Sequence, residues 1–386
     1  MHKRANTADA ERTSGRRLRL PPPREPCGTI AATVNVNTRI VLVRRPTGPA
    51  TPECFAVETT PLGELEHGRI RVAVEYVSVD AGTRTMLRGE GFHQQVGLGD
   101  VVLASGVGRV IETTLGAWPV GQAVRGRLGA QTIATVQPAQ LTRVDDTVGP
   151  LSLHLGALSG TTGVTAWVGV RHIGRPVAGE TFVVSAAAGA VGSMAGQIAK
   201  IDGARVIGIA GGPTKTVHLV DELGFDAAID YKHDDVRTRL RELCPDGVHV
   251  FFDNVGVPIL DDVLDNLAMR ARVVICGAVS QYDDIDHVTG PSLYLRLAER
   301  QATMAGFAYM HTPELIDPAM AEGSASPLPR PSVVTSPKNA SGPAWPDSVT
   351  RSESPRPAVA TRHPSRAMRS MPTRAAKRPD RKLPSA

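Results

Sequence analysis

Cysteine, aromatic residues and long apolar runs are all scarce in this sequence of 386 residues. Its four cysteines are widely scattered and form no C-x-x-C pair, which argues against a disulfide framework and a structural zinc site. No run of about 18 apolar residues occurs, so no membrane-spanning helix is predicted. Residues 1–26 are rich in arginine and proline and lack the apolar segment of a secretory signal. These absences predict a cytoplasmic protein with reduced thiols, at Cys27, Cys54, Cys244 and Cys276.

Positive charge is concentrated at the two ends of the chain. The net charge of +5 divides into +5 over residues 1–39, +6 over residues 312–386 and −6 over the residues between them. An acidic middle argues against nucleic acid as a natural partner. The basic ends carry no aromatic platforms for bases, so binding of nucleic acid or a membrane surface through them is the least favoured function.

Composition divides the chain into four regions. Residues 1–36 are polar and basic, and we expect a disordered extension or an over-long start of the gene. Residues 37–156 contain short β-rich stretches separated by glycine and proline, which predicts a β-rich domain. Residues 157–311 alternate strands and helices. Residues 312–386 hold fourteen of the thirty prolines and few large apolar residues, so disorder is predicted there.

The third region predicts an α/β domain with a doubly wound, six-stranded parallel sheet. Each apolar strand is followed by a segment of helical spacing, which is typical of βα units. The predicted strands are 181–186, 205–210, 227–231, 248–252, 272–278 and 304–309. The predicted helices are 191–201, 216–223, 234–243, 259–267 and 293–301.

A glycine-rich turn follows the first of these strands. The run Phe182–Ser193 has the form A-x-x-G-x-x-G, with Ala186 in the first small-residue position. Gly189 allows a tight turn, and Gly192 allows close approach to a pyrophosphate at the helix N-terminus. Such glycines can also serve only close packing of strand and helix. The position at the start of a six-strand array favours dinucleotide binding.

The end of the second strand indicates which dinucleotide is bound. Enzymes that use NAD place an acidic residue there for the ribose 2′-hydroxyl, whereas this chain reads Ile209-Ala-Gly-Gly-Pro-Thr-Lys215. No carboxylate would repel a 2′-phosphate, and Lys215 stands nearby. The alternative is that Lys215 is an ordinary lysine at the start of a helix. We therefore predict NADP(H) as the cofactor.

Residues 37–311 resemble the zinc-independent medium-chain dehydrogenases/reductases, in the branch of the prostaglandin reductases and leukotriene hydroxydehydrogenases. Six collinear segments carry the resemblance: SAAAGAVGS (185–193), GQIAK (196–200), GGPTK (211–215), LGFDAAIDYK (223–232), FDNVG (252–256) and CGAVSQY (276–282). The family implies a GroES-like β domain at 37–156, a Rossmann domain at 157–311, and NADPH-dependent reduction of an activated carbon–carbon double bond. It also implies a homodimer that pairs through the last strand of the sheet.

The resemblance also assigns site residues. The pyrophosphate cradle is Gly189, Ala190, Val191 and Gly192, and the adenosine phosphate would be held by Lys215 and Tyr231. Asn254 would reach the cofactor. The nicotinamide side would be lined by Cys276, Gly277, Ala278, Val279, Ser280, Gln281 and Tyr282, continued by Phe307, Ala308 and Tyr309. Tyr282 is the candidate catalytic residue, because its phenol could stabilise an enolate; a role in binding alone is the alternative.

A catalytic metal is not predicted. Zinc-dependent relatives carry a cysteine early in the catalytic domain and a later Gly-His-Glu, where this chain has Ser78-Val79-Asp80 and Ser105-Gly106-Val107. His93 and His154 lack partners at metal-ligand spacing.

The chain departs from the family in two places. A loop that commonly contains tyrosine reads Gly91-Phe92-His93-Gln94, so the substrate contacts differ. After residue 311 the family continues with elements that complete the catalytic domain, whereas this chain turns to proline, serine and arginine. A reading-frame shift in GC-rich coding sequence is our hypothesis for this change, and it would impair activity.

The function predicted from the sequence is NADPH-dependent reduction of α,β-unsaturated carbonyls. The alternatives are a quinone reductase of the same superfamily, which shares the fold and the cofactor, and a catalytically impaired remnant that still binds nucleotide.

Overall fold

The computed structural model describes residues 35–90, 93–284 and 287–325. The disorder predicted for residues 1–34 and 326–386, the thiol of Cys27, and Gly91 and Phe92 of the divergent loop lie outside the described residues.

Antiparallel strands build the first part of the fold, as its β-rich composition predicts. The strands are β1 (Val36–Leu42), β2 (Phe55–Pro61), β3 (Ile70–Val77), β4 (Ser105–Thr113), β5 (Ala123–Arg127), β6 (Ile133–Val136) and β7 (Leu141–Arg143). Strands β1 and β2 pair with each other, and the other five form one sheet in the order β6-β3-β4-β5-β7. Ile70, Val72, Val110 and Val124 alternate with more exposed residues and are fully buried in the core of this sheet.

The helices of the described chain lie mainly in its second half. They are α1 (Thr83–Met86), α2 (Thr165–Trp167), α3 (Ala190–Ile201), α4 (Pro213–Val217), α5 (Val236–Leu243), α6 (Ile259–Leu264), α7 (Leu295–Glu299) and α8 (Ile316–Ala325).

A six-stranded parallel sheet forms the second part of the fold and confirms the predicted class. Its strands are β8 (Thr181–Val184), β9 (Arg205–Ala210), β10 (Ala227–Asp230), β11 (Val248–Asp253), β12 (Leu267–Ile275) and β13 (Thr303–Gly306). Their order is β10-β9-β8-β11-β12-β13, which is the doubly wound Rossmann order.

Residue alternation in the central strands explains why helices cover both faces of this sheet. Phe182 and Val184 of β8 point into the hydrophobic cluster on one face, and Val183 points into the cluster on the other. In β11, Phe252 and Phe251 divide in the same way. A strand that is apolar on both faces must be covered twice.

The strand order reverses between β8 and β11, which lie side by side. Ligands of doubly wound sheets bind outside the carboxyl ends of the strands at this reversal. Residues after β8, β9, β11 and β12 are therefore the ones that the fold places at a site.

Several elements differ from those that the sequence predicts. A helical segment, missed by the periodicity, runs through Gly160–Val164, α2 and Val168–Gly174, with wider π-helical turns on either side of one α-helical turn. The predicted strand 272–278 instead covers Leu267–Ile275. Residues that follow it form a loop.

Helix α8 lies beyond the boundary at residue 311 that the sequence predicts for ordered structure. Its apolar residues, with Ala319 buried, pack against Val164 and Val168 of the missed helical segment. Glu322 accepts a hydrogen bond from Trp167 Nε1 at 2.9 Å. The short apolar stretch that forms α8 was missed because residues 312–386 as a whole are rich in proline and polar residues. Its packing partners lie about 150 residues earlier in the chain.

Candidate active site

The turn between β8 and α3 leaves the first backbone N–H groups of the helix without an intrahelical partner. Gly189 caps α3 without a side-chain hydrogen bond, and Ser193 N donates to Gly189 O at 2.9 Å. The N–H groups of Ala190, Val191 and Gly192 precede Ser193 N, the first intrahelical donor, and are therefore directed outward. A Cβ atom at Gly192 would collide with the backbone of Ala186, so only glycine lets the helix start this close to the turn. These residues fit a pyrophosphate.

Ala186 adopts the left-handed conformation, with φ of 47°. This is the position that glycine holds in the G-x-G-x-x-G pattern, and a side chain there is strained. The Ala186 carbonyl accepts a hydrogen bond from Gly189 N at 2.8 Å, which closes the turn.

Lys215 and Tyr231, the residues predicted to hold the adenosine phosphate, line the same cleft at the ends of β9 and β10. A Cβ atom at Gly211 would stand 2.8 Å from the Tyr231 ring and 3.0 Å from Lys232 Cε, so the glycine leaves space beside two side chains that follow β10. Lys215 is exposed, and it forms no ion pair with the part of the chain that the structure describes. Lys232 is a second cation at this end, and the sequence prediction did not include it.

A carboxylate does lie near this end, but it is already engaged. Asp230 Oδ1 accepts hydrogen bonds from Gly212 N at 2.7 Å and Lys232 N at 3.1 Å, and Asp230 Oδ2 lies 2.7 Å from His233 Nδ1. The hydrogen bond from Gly212 is the main cause that lowers the pKa of Asp230, so this group is an anion that organises the turn.

A cleft of about 460 Å³ extends from the turn after β8 to the residues that follow β9 and β10. Five predicted site residues line it: Gly189, Lys215, Tyr231, Val279 and Ser280. Its walls also include Ala186, Ala188, Ala210, Gly211, Val255, Pro258 and Ile259, most of which the sequence prediction missed. The apolar run Val255–Ile259 follows a buried strand closely, and this pattern could have predicted the cleft residues Val255, Pro258 and Ile259.

A buried carboxylate organises the loop after β11. Asp253 is fully buried and accepts hydrogen bonds from Ser185 Oγ at 2.8 Å, Val255 N at 2.9 Å and Gly256 N at 3.1 Å. Burial raises the pKa of Asp253, against these hydrogen bonds. Asn254 Nδ2 donates to Ser185 O at 2.8 Å, so the predicted cofactor residue is tied to the end of β8. Asp253 was not singled out from the sequence, because only the fold places it beside Ser185.

The loop after β12 is hydrogen-bonded to the loop after β11. Cys276 N and Gly277 N both donate to Asp253 O, at 2.8 and 3.1 Å, and Val279 N donates to Asn254 O at 3.1 Å. Ser280 Oγ donates to Val255 O at 2.6 Å. Burial raises the pKa of the Cys276 thiol to about 12, so it remains protonated. The segment Cys276–Gln281 is thereby held against the cleft.

Tyr282 ends this loop and is half-buried. A Cβ atom at Gly277 would lie 2.9 Å from the phenol oxygen, which shows that the ring folds back over the start of the loop. Burial raises the pKa of Tyr282, while a hydrogen bond with the Ala278 backbone opposes this shift. The phenol is therefore a protonated hydroxyl at neutral pH.

An ion pair connects this loop to the β-rich part of the chain. Arg84 Nε lies 2.7 Å from Asp283 Oδ1, and Arg84 Nη2 donates to Gly48 O. The Nη1 atom of Arg84 is buried without a hydrogen-bond partner in the described structure. Arg84 thus bridges α1 and the residue next to Tyr282.

Phe307 and Tyr309, which follow β13, are both half-buried and pack against other parts of the fold. The Phe307 ring packs edge-on against Phe252, with 6.4 Å between centroids. The Tyr309 ring lies against Gly160, where an added Cβ would come within 2.5–2.8 Å of it. The 460 Å³ cleft is not lined by these two residues or by the other predicted residues Ala190, Val191, Gly192, Asn254, Cys276, Gly277, Ala278, Gln281, Tyr282 and Ala308.

Residues 35–90, 93–284 and 287–325 contain no group of three or more histidine, cysteine, aspartate or glutamate residues able to hold a metal ion. Within the same ranges, no helix combines the length and apolar character needed to cross a bilayer. Independence from metal, a cytoplasmic location and pairing through β13 stay predictions.

Two family models match the chain. Residues 38–144 match the N-terminal domain of oxidoreductases, and residues 190–323 match the family described as zinc-binding dehydrogenase. Among curated proteins, the relative named as the NADP-dependent oxidoreductase YfmJ of Bacillus subtilis is 43% identical over 273 residues. The match covers 70% of this chain and 80% of that protein. The NADPH-dependent curcumin reductase of Escherichia coli is 35% identical over 276 residues, with coverage of 70% and 80%.

A solved structure of similar architecture contains bound NADPH. CurA from Vibrio vulnificus in complex with NADPH has a TM-score of 0.69 and 33% identity, and covers 74% of this chain and 87% of that chain. Rabbit prostaglandin reductase 1 is 37% identical over 251 residues, which is 64% of this chain and 69% of the rabbit protein. The chain belongs to the medium-chain dehydrogenase/reductase superfamily, among the NADP-dependent oxidoreductases related to prostaglandin reductase.

Proposed function

We propose that the protein reduces the carbon–carbon double bond of α,β-unsaturated carbonyl compounds with NADPH. The observation that carries the proposal is the Tyr282 phenol, half-buried and protonated, at the end of a loop whose Val279 and Ser280 line the cofactor cleft. Relatives named as acting on such compounds support it: a 2-alkenal reductase from Nicotiana tabacum, 34% identical over 278 residues, and (+)-pulegone reductase from Mentha piperita, 36% identical over 235 residues.

NADPH, when bound, supplies a hydride, which adds to the β-carbon of the substrate. The π electrons of the double bond then move to the carbonyl oxygen as an enolate, and a proton from solvent completes the product at the α-carbon. The Tyr282 hydroxyl donates a hydrogen bond to the developing enolate oxygen. Because burial raises the pKa of Tyr282, the phenol keeps its proton, which is available to the substrate.

The cofactor would be held by residues whose geometry fits it. The outward N–H groups of Ala190–Gly192 bind the pyrophosphate. Lys215 and Lys232 supply positive charge for the 2′-phosphate, and Tyr231 packs beside it. Val255, Pro258 and Ile259 offer an apolar wall that suits the adenine ring.

The test uses NADPH that carries deuterium at the position from which the hydride leaves, with a simple enone as the substrate. We expect deuterium at the β-carbon of the saturated ketone, read by NMR. Tyr282→Phe should lower kcat by about 10- to 100-fold, because one hydrogen bond to the enolate is lost. The control Tyr294→Phe alters a tyrosine that is 59% exposed and should keep full activity. Transfer of hydride to the carbonyl carbon, giving an unsaturated alcohol, would refute the proposal.

The raised pKa of Tyr282 adds a pH test. A phenol whose pKa lies above its ordinary value of about 10 keeps its proton to higher pH. We expect kcat to show no decline from ionisation of Tyr282 below about pH 10, as long as the protein stays folded. A decline with an apparent pKa near 8, present in the native protein and absent in Tyr282→Phe, would contradict this protonation state.

A further inference from the structure

A half-buried arginine of the β-rich domain faces the Rossmann domain without an acidic partner. Arg125 lies on β5, and its Nη1 donates to the Leu158 carbonyl oxygen at 2.5 Å. Leu158 lies two residues before the helical segment that starts at Gly160. No carboxylate of the described residues forms an ion pair with Arg125, whereas most of the other half-buried arginines have one.

The remaining donors of Arg125 are open to a ligand. Its Nε and Nη2 atoms have no acceptor within the described structure, and neither belongs to the buried side-chain atoms that lack a partner. Arg84 differs here, because its unpaired Nη1 is sealed from solvent. Two free N–H directions on one planar guanidinium match the two oxygens of a carboxylate.

Tyr309 places this guanidinium at the catalytic side of the sheet. Its phenol oxygen would stand 2.8 Å from a Cβ atom at Gly160, two residues after the carbonyl that Arg125 contacts. Tyr309 is also close enough to act electrostatically on Arg125. It follows β13 at the carboxyl edge of the sheet, the edge at which the cofactor cleft lies.

The electrostatics of this position favour an anion. Burial lowers the pKa of Arg125, because a cation that loses hydration without a counter-ion is destabilised. An anionic ligand would restore the missing interaction, and partial burial makes the attraction stronger than it would be on an open surface.

We propose that Arg125, assisted by the Tyr309 hydroxyl, binds a carboxylate group of the substrate and so makes this protein selective for acidic enones. The inference rests on the proposed enone reduction and adds the class of substrate. Arg125 is a specificity-determining residue that contacts the carboxylate and not the reacting carbon, so it affects which enone is bound and not how NADPH is held.

The experiment compares acetylacrylate, an enone that bears a carboxylate, with its uncharged methyl ester. For each protein the ratio of kcat/KM for the acid to kcat/KM for the ester is measured, which cancels effects common to both substrates. Arg125→Gln should lower this ratio by about 10- to 100-fold, the effect of losing a charged hydrogen-bond partner. Tyr309→Phe should lower it by roughly threefold, and Arg125→Lys should recover part of the loss.

Arg109→Gln is the matched control for the change of charge. Arg109 lies on the neighbouring strand β4 and pairs with Glu75 and Asp146, so its removal should leave the ratio unchanged. The Kd for NADPH, measured by fluorescence in every variant, should stay within about twofold of the native value. An equal loss with both substrates, or weaker NADPH binding in Arg125→Gln and Arg125→Lys, would overturn the proposal and assign Arg125 to folding or to the cofactor.

Calorimetric binding of acetylacrylate to the NADP⁺ complex separates this inference from the proposed reaction. If the native protein reduces neither compound, the proposed enone reduction fails. Binding of the acid that is lost in Arg125→Gln would still support the carboxylate subsite. Absence of binding to the native complex would overturn it, whatever the turnover.

Discussion

The two ends of the candidate active site are built in different ways. The centre of the cofactor end is one contiguous run, Ser185–Ser193, whose turn closes on itself through the hydrogen bond from Gly189 N to Ala186 O. The opposite end is assembled from α1, β5, the residues around Gly160 and the loop that ends at Tyr282 and Asp283. Its parts come from positions about 200 residues apart.

This difference has a physical consequence. A turn made of neighbouring residues depends on backbone geometry, so a single added atom disturbs it. A site made of distant segments depends on a few side chains that cross between them. We therefore expect substitutions at the first end to act on NADPH binding, and those at the second to act on turnover with binding preserved.

Gly192→Ala should have the largest effect. The new Cβ would meet the Ala186 backbone, which cannot move without opening the turn, so helix α3 must shift away from the pyrophosphate. We expect the Kd for NADPH, measured by fluorescence titration, to rise about 100-fold, equivalent to about 3 kcal/mol. Gly116→Ala is the control, because open space surrounds Gly116. Unchanged NADPH binding in Gly192→Ala would remove the turn from the cofactor site.

Lys215→Ala should have the next largest effect at the cofactor end. The native protein should bind NADPH at least about tenfold more tightly than NADH, because a charge-assisted contact with phosphate contributes about 1.5–3 kcal/mol. The variant should lose most of this preference, with Lys232 retaining a part. Lys200→Ala, which breaks an ion pair with Asp226 far along α3, should keep the preference. Equal affinity of the native protein for both cofactors would refute the assignment.

Arg84→Ala tests the other end. The substitution removes the ion pair to Asp283 and frees the loop that carries Tyr282. We expect kcat with an enone to fall about 5- to 10-fold, since loss of position around a reacting group is costly. The Kd for NADPH should change by less than about twofold. Asp283→Asn should have a smaller effect, because Asp283 is half exposed. Parallel losses of kcat and NADPH affinity would show that the two ends are not separable.

Ala186→Gly should have the smallest effect, and in the opposite direction. Ala186 holds a left-handed conformation that glycine adopts without strain. Relief of this strain, less the greater flexibility of glycine in the unfolded chain, should raise the free energy of unfolding by about 0.5–1 kcal/mol. Urea denaturation measures the change. A lower stability would mean that the Ala186 methyl group has a packing role that outweighs its strain.

Particular elements show where prediction from residue patterns succeeds. The predicted strand 205–210 agrees with β9 (Arg205–Ala210), and the helix predicted over 191–201 agrees with α3 to within one residue. Both have strong apolar periodicity and glycine at a boundary. The helical segment after Gly160 was missed, since its glycines and β-branched residues disfavour a helix in isolation, and packing against Phe252 and Phe307 stabilises it.

Short-range patterns were sufficient for the sheet class, the glycine turn and the absence of an acid after β9, because each depends on residues within a few positions of one another. Tertiary packing alone decided that Asp253 is the buried acceptor behind Asn254, that Arg84 reaches Asp283, and that Arg125 has no carboxylate beside it. Whether a charged side chain has a counter-ion depends on the groups that surround it in the folded structure, and these groups can be distant in sequence. Arg125 has the Leu158 carbonyl oxygen as its hydrogen-bond acceptor and Tyr309 as an electrostatic neighbour, and both come to β5 only when both domains have folded.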